Sequence, residues 1–286
     1  FRRVLFRSKR FGGYPTSNPH NSLEYFHGSR APIAHKEYNP YVEAFWEWWP
    51  SLYPHLKHFR MTGGEPILDN NTFRVLDYVK QHPKQDLHLA TTSNFCPGNE
   101  NLWNRYLTSV KEICDADGIE HFMQFVSLDA VGNRAEYIRD GLVFEELEKH
   151  VHQFLSQVDR RSSLTFIITY NLLSVTSLKL LLEWILSLRT LYSKTYQRVW
   201  FDIPVLRQPN WMNINILPRH YEHHHISAID FATKNLETVN DRFHGFKDYE
   251  VEKLRRNLDY MRVTPDNVNE LRADCYRFFN EHDNRR

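Results

Sequence analysis

From about residue 57 onward, short apolar runs alternate with longer stretches in which apolar residues recur at helical spacing. The short runs are bounded by polar residues, a pattern typical of strands buried on both faces of a parallel sheet. The longer stretches, such as the one containing Phe73, Leu76 and Val79, are typical of helices with one apolar face. The pattern predicts strands at 56–61, 87–92, 122–128, 164–170 and 198–203, with helices at 72–81, 100–114, 144–158 and 174–191.

This alternation predicts an α/β fold in which parallel strands are joined by crossover helices. After residue 204 the pattern changes to a loop rich in Pro, Trp and Asn, followed by helices at 220–236, 249–261 and 268–281. Before residue 57 lie a polar segment over 12–32 and a short aromatic helix over 41–49. We expect Phe45, Trp48 and Trp49 of that helix to pack against the sheet.

Polar residues close each predicted strand, at 62–65, 92–94, 127–129, 170–171 and 202–204. The carboxyl ends of parallel strands share one edge, where such folds place their active sites. Any one of these polar ends also has a capping explanation, because Ser, Asn and Asp start helices and turns well. Five together favour a shared pocket.

The first of these ends reads Thr62-Gly63-Gly64-Glu65-Pro66. Adjacent glycines let a ligand approach the backbone closely, Glu65 can accept hydrogen bonds from an amino group, and Pro66 suits the first turn of a helix. The alternative is a tight strand-to-helix turn in which Glu65 only favours the helix dipole.

Composition and charge exclude several classes of function. Lys and Arg total 36 against 35 Asp and Glu, so bulk charge does not indicate nucleic acid. The longest apolar run, at 178–188, is interrupted by Glu183 and is too short to span a bilayer. We therefore expect a cytoplasmic protein without a membrane partner.

The three cysteines, Cys96, Cys114 and Cys275, are too far apart in sequence to form a close-spaced metal motif or to suggest a disulfide framework. We expect Cys114 and Cys275 to be buried as small apolar residues, and leave Cys96 open. His220 and His224 have the i,i+4 spacing of a zinc pair, but no third ligand is evident, so His220, His223, His224 and His225 are interpreted as a solvated helix start.

The series of strand ends resembles a known family. Gly-Gly-Glu-Pro after a strand, Ser93-Asn94, Ser127-Leu-Asp129-Ala, Arg139-Asp-Gly and Asn171 are similar to the partial (β/α)6-type barrel of radical SAM enzymes, from its second strand onward. The resemblance is closest to twitch domain-containing radical SAM proteins, in which segments similar to 39–50 and to 201–211 surround the same barrel. It covers residues 12–286.

The resemblance implies that S-adenosylmethionine binds at the shared edge. Glu65 would accept from the methionyl amine, with Gly63, Gly64 and Pro66 shaping the turn. Ser127, Asp129 and Asn171 would lie near the ribose, and Arg139 would face the cofactor carboxylate. Ser93 and Asn94 would lie on the same rim. The alternatives are helix capping for Ser127, Asp129 and Asn171, and a surface ion pair for Arg139.

In this family a [4Fe-4S] cluster reduces the sulfonium, and the resulting 5′-deoxyadenosyl radical abstracts a hydrogen from the substrate. The defining Cys-x-x-x-Cys-x-x-Cys loop precedes Gly-Gly-Glu-Pro, yet residues 1–62 contain no cysteine. Residues 1–8 resemble a translated sequencing adapter, and the chain has no initiating Met. We therefore interpret the chain as a metagenomic fragment that lacks the first strand and its cluster loop, and is cut at the C-terminus as well.

The predicted organisation is a non-native leader at 1–8, an irregular segment with the aromatic helix at 9–56, the partial barrel at 57–204 and a helical extension at 205–286. Family membership implies an electron donor such as flavodoxin or ferredoxin, and a peptide or small metabolite as the unknown substrate. A twitch region suggests an auxiliary cluster, but its existence stays open because Cys275 is the only cysteine after Cys114. Two rival functions remain. The first is a cluster-free module that binds S-adenosylmethionine or a nucleoside without catalysis. The second is a metal-dependent hydrolase, which is disfavoured because the strand ends lack a His-rich or Asp-rich ligand set.

Overall fold

Five parallel strands form one sheet in the computed structural model, which describes residues 38–241 and 243–285. The expectations for residues 1–8 and 12–32 lie outside these ranges. The strand order is β1-β2-β3-β4-β5, so each strand pairs with the next one along the chain. The α/β class and all five predicted strands are confirmed. The strands are β1 His58–Met61, β2 Lys84–Ser93, β3 Ile119–Ser127, β4 Ser162–Ile167 and β5 Val199–Asp202.

Helices connect the strands because parallel neighbours need a crossover. Nine α-helices occur in the described residues, and all eight predicted helices are among them with small shifts at their ends. They are α1 Pro40–Leu52, α2 Asn70–Gln81, α3 Glu100–Asp115, α4 Gly132–Ile138, α5 Phe144–Gln157, α6 Leu178–Tyr192, α7 Glu222–Lys234, α8 Asp248–Met261 and α9 Val268–Asn284.

The start of α2 shows how the sequence fixes a crossover. The side chain of Asp69 accepts a hydrogen bond of 2.8 Å from the backbone N–H of Asn71, which satisfies one of the free donors at the helix start. The predicted apolar face, Phe73, Leu76 and Val79, is then completely buried. The helix therefore runs back along the sheet and returns the chain to the start of β2.

Helices α7 and α8 belong to the same apolar core as the sheet, since Ala228 and Leu254 are fully buried within it. Helix α8 contacts the end of β5, where Lys253 Nζ lies 2.8 Å from Asp202 and Asn257 donates to the carbonyl of Ile203 at 3.0 Å. Helix α9 packs instead on a second, smaller cluster around Trp211. The region after residue 204 is thus anchored to the sheet through α7 and α8.

Two expectations about local structure are wrong. Trp48 is 58% exposed, and Trp46 is buried in its place, because Trp46 and Trp49 are three residues apart and share one face of α1. The other two aromatic residues of that prediction, Phe45 and Trp49, do contact Phe59 of β1. His225 is also not solvated, because it is fully buried between α7 and α8.

No helix in residues 38–241 or 243–285 combines the length and the apolar character that crossing a bilayer requires.

Candidate active site

A cavity of about 680 Å³ lies at the carboxyl ends of the strands. Its volume is typical of a small-molecule site. Nine of the ten residues that the sequence singled out line it, and the tenth, Pro66, is buried where it starts a short 3₁₀ helix, Pro66–Leu68. The nine are Gly63, Gly64, Glu65, Ser93, Asn94, Ser127, Asp129, Arg139 and Asn171.

The fifth polar strand end does not reach the cavity. Asp202 forms an ion pair with Lys253 of α8, at 2.8 Å, and neither it nor Pro204 is among the described lining residues. The chain that follows β5 contributes Leu206, Pro209 and Trp211 instead. Four of the five polar strand ends therefore line the cavity, and the end of β5 does not.

The turn after β1 depends on its two glycines. Gly63 has φ of +93° and Gly64 has φ of +55°, both in the region that a side chain disfavours. A Cβ at either position would meet no atom within 4 Å among the described residues, so space is not the constraint. The turn thus leaves open room above the backbone, on the side of the cavity.

Glu65 is held in place by the ends of β1 and β2. Its carboxylate accepts from the backbone N–H of Asn94 at 2.9 Å and from that of Ile67 at 3.4 Å. Burial raises the pKa of Glu65, and the hydrogen bonds from Asn94, Ser93 and Ile67 offset part of this rise. An anchored and partly desolvated carboxylate is suited to binding an ammonium group.

The loop that supplies the Asn94 N–H is strained. Phe95 is fully buried and has φ of +57°, which is uncommon for a bulky residue. Its carbonyl accepts from Nδ1 of His150 at 2.7 Å, and its N–H donates to the hydroxyl of Ser93 at 2.9 Å. These contacts hold the backbone beside Glu65 in a conformation that it would not adopt alone, and the sequence pattern gave no sign of it.

Asp129 and Arg139 bind each other. Nη2 of Arg139 donates to Oδ1 of Asp129 at 3.0 Å, and Nε lies 2.8 Å from Oδ2 as a close ionic contact without an aligned hydrogen bond. The same Oδ1 accepts from the backbone N–H of Thr169 at 2.8 Å. Asp129 is almost fully buried and Arg139 is partly exposed. The pair joins the ends of β3 and β4 to the residue after α4.

The remaining polar residues differ in how far their side chains are already engaged. Asn171 accepts from the backbone N–H of Leu173 at 3.0 Å and donates to the carbonyl of Thr169 at 2.8 Å. Asn94 accepts from the N–H of Cys96 at 2.9 Å. Ser127 lines the cavity at the end of β3, and its hydroxyl makes no hydrogen bond within the described residues.

One wall of the cavity is aromatic. It combines Trp211 and Met212, from the loop after β5, with Phe278, Phe279 and His282 of α9. Ring centroids of Trp211 and Phe278 lie 4.4 Å apart. The sequence indicated an aromatic loop here, but it could not show that α9 would close the cavity.

The three cysteines lie apart in the structure. Cys114 is fully buried, as expected, while Cys96 and Cys275 are half-buried. Burial raises the thiol pKa to about 12 for Cys96, about 12 for Cys114 and about 11 for Cys275. Within the described residues no three His, Cys, Asp or Glu side chains come together as a metal site.

His220 and His224 do not share one α-helix. His220 lies in a 3₁₀ turn, Arg219–Tyr221, and α7 begins only at Glu222. The rings of His223 and His224 lie 3.8 Å apart, and desolvation lowers the pKa of His224.

No known family model matches the chain, and no curated protein is significantly similar to it in sequence. The chemical character of the cavity therefore rests on its own residues. Glu65, Asp129 and Asp140 line it together with Arg139 and His282, and Arg139 is already paired with Asp129. The anchored carboxylate of Glu65 favours a ligand that carries positive charge.

Proposed function

We propose that the cavity binds S-adenosylmethionine, and that the protein in its intact form is a radical SAM enzyme. The observation that carries the proposal is the position of Glu65, whose anchored carboxylate faces a small-molecule cavity beside an open Gly-Gly turn. The carboxylate of Glu65 suits the ammonium charge of this cofactor. The sequential order of parallel strands supports a partial (β/α) barrel, because a doubly wound sheet would reverse its order at a switch point.

The residues present fit the cofactor unevenly. Glu65 is placed to accept from the amino group, and the free hydroxyl of Ser127 is available to a ribose. Arg139 would reach the cofactor carboxylate with its Nη1, since its other two nitrogens face Asp129. Asn171 already uses its amide within its own loop, so it supports the ribose less than the resemblance implies.

The residues present do not fit a [4Fe-4S] cluster. Such a cluster needs three thiolates close together, whereas Cys96, Cys114 and Cys275 lie in separate elements and their pKa values are raised. We therefore derive no reaction step through a cluster. The enzyme proposal requires thiolates from residues outside the sequence given, and an electron donor such as flavodoxin or ferredoxin would belong to that intact form.

The second candidate is a module that binds a nucleoside without catalysis. It is favoured because the three cysteines of the chain do not supply the close thiolates that a cluster needs. Sequencing of the source locus upstream of the sequence given separates the two: an in-frame Cys-x-x-x-Cys-x-x-Cys supports the enzyme, and a start codon without it supports the module.

Calorimetric titration with S-adenosylmethionine and with adenosine tests the binding proposal. A charged hydrogen bond contributes about 1.5–3 kcal/mol, so Glu65→Gln should weaken S-adenosylmethionine by about tenfold or more and leave adenosine unchanged. Glu47→Gln, which removes the same charge from an exposed position on α1, is the matched control and should change neither affinity. Equal affinities of Glu65→Gln and the unmodified protein for S-adenosylmethionine would remove Glu65 from the site.

A further inference from the structure

The two sides of the cavity differ in chemistry. The strand ends present carboxylates, amides and hydroxyls, whereas the opposite wall consists mainly of Leu206, Pro209, Trp211, Met212, Phe278 and Phe279. Within the described chain that wall contains no Lys, Arg, Asp or Glu, and its titratable side chain is His282 of α9. A charged group placed against Trp211, Phe278 or Phe279 would lose its hydration without gaining an ionic partner from those rings.

The aromatic wall is built before any ligand arrives. Trp211 and Phe278 belong to the second apolar cluster with Ile216 and Leu271, and Arg272 ties α9 to the carbonyl of Ile216 at 2.7 Å. The ring of Tyr137 stacks on Phe279 at 6.1 Å, and its hydroxyl donates to Asp283 at 2.8 Å. A preformed wall binds without an ordering cost at the moment of association.

We propose that this wall binds the second substrate through an uncharged aromatic group. The inference rests on the proposed function, because it assigns the strand ends to the cofactor and the wall to the molecule that reacts with it. A cavity of about 680 Å³ that also holds the cofactor leaves room for one such group. The substrate class is therefore a small neutral aromatic metabolite or a single aromatic side chain.

Three probes of nearly the same shape test the charge requirement: phenylacetamide, phenylacetate and phenethylammonium. Each is titrated into the protein by ligand-observed NMR, with and without saturating S-adenosylmethionine. The three probes are compared in its presence, because the free carboxylate of Glu65 would otherwise attract phenethylammonium. The neutral amide should bind about tenfold tighter than either ion, given the cost of burying an unpaired charge. Equal or tighter binding of either ion overturns the proposal.

Variants locate the bound probe. Phe279→Ala should weaken phenylacetamide by about tenfold and leave S-adenosylmethionine unchanged, as truncation of a contacting aromatic residue does. Tyr276→Ala, on the same helix but 73% exposed, is the matched control and should change neither affinity. Circular dichroism confirms that each variant is folded, and Phe279→Leu replaces Phe279→Ala if that variant is not.

The outcomes separate the two proposals. If S-adenosylmethionine binds and phenylacetamide does not, or if Phe279→Ala behaves as Tyr276→Ala, the wall assignment is wrong and the proposed function stands. If phenylacetamide binds at the wall but S-adenosylmethionine does not bind, the proposed function is wrong and the wall assignment stands. Failure of both ligands overturns both.

Discussion

Glu250 of α8 receives two hydrogen bonds from the guanidinium of Arg189 on α6, at 2.7 and 3.1 Å, and both side chains are buried. The remaining donors of Arg189 are directed at the backbone carbonyls of Val199 and Gly245. The pair thereby fastens the C-terminal helices to the last strand of the sheet.

Arg189→Leu should destabilise the protein by about 3–5 kcal/mol, because it leaves the Glu250 carboxylate buried without its ionic partner, although the backbone N–H of Lys247 still donates to it at 2.9 Å. Urea unfolding measures the loss. Lys179→Leu, in an exposed i,i+4 pair on the same helix, is the control and should cost less than about 1 kcal/mol. A loss for Arg189→Leu as small as that of the control would contradict the role given to the pair.

Gly64→Ala and Gly98→Ala should lower stability by similar amounts, about 1–2 kcal/mol each, because both glycines have left-handed φ, +55° and +62°, with open space around the new methyl group. Only Gly64 lines the cavity. We therefore expect Gly64→Ala alone to weaken S-adenosylmethionine, as measured by calorimetry. Equal effects of the two variants on binding would show that the turn does not face the ligand.

The raised pKa of Glu65 has a consequence for stability. Because the folded pKa lies above the ordinary value of 4.5, the folded state binds more protons than the unfolded state within that window. Stability is therefore lost as pH rises from 4.5 through the folded pKa. Relative to the unmodified protein, Glu65→Gln should gain stability across this window and show no further change above it, as urea unfolding at several pH values would reveal. A difference that is constant with pH would mean that burial does not shift Glu65.

Tyr170 and His225 connect the end of β4 to α7. Nε2 of His225 lies 2.7 Å from the carbonyl of Leu254 and must carry the proton, so Nδ1 accepts from the hydroxyl of Tyr170 at 2.6 Å. Tyr170→Phe leaves this buried nitrogen without its donor and should cost about 1–3 kcal/mol. Thermal and urea unfolding should show little change for Tyr276→Phe, whose ring is exposed.

Anaerobic reconstitution of the chain with iron and sulfide should give no [4Fe-4S] absorbance, because its three cysteines lie apart and burial raises their pKa values. The triple Cys→Ser variant is the control and should give the same spectrum. A brown chromophore that disappears in the triple variant would mean that the thiols can come together.

The sequence predicted the positions of the strands because short β-rich runs alternate with helical stretches, and this alternation is read from local pattern alone. Helix α4 was not predicted, since Ala135 is the only residue of its seven that is buried and no apolar face marks it. Trp46 and Trp48 show the same limit, because the burial of neighbouring aromatic residues depends on a helix orientation that only packing decides.

The candidate site was predictable in its location but not in its internal contacts. Polar strand ends indicated the shared edge, and nine residues met there. The sequence assigned Asp129 and Arg139 to different parts of a ligand, whereas they bind each other in the structure. Asp129 and Arg139 are ten positions apart, and their pairing depends on the tertiary fold, which leaves no periodic signal in the sequence. The same holds for the closure of the cavity by α9.

The closure of the cavity by α9 also sets an order of events during protein synthesis. A nascent chain that has been made through β5 contains all five described strands and the complete Gly-Gly-Glu turn, but not the aromatic wall. Since chains fold progressively from the N-terminus, the polar rim can form while the opposite wall is still within the ribosome. The protein would therefore form its polar rim first, and a closed chamber only when its last described helix emerges.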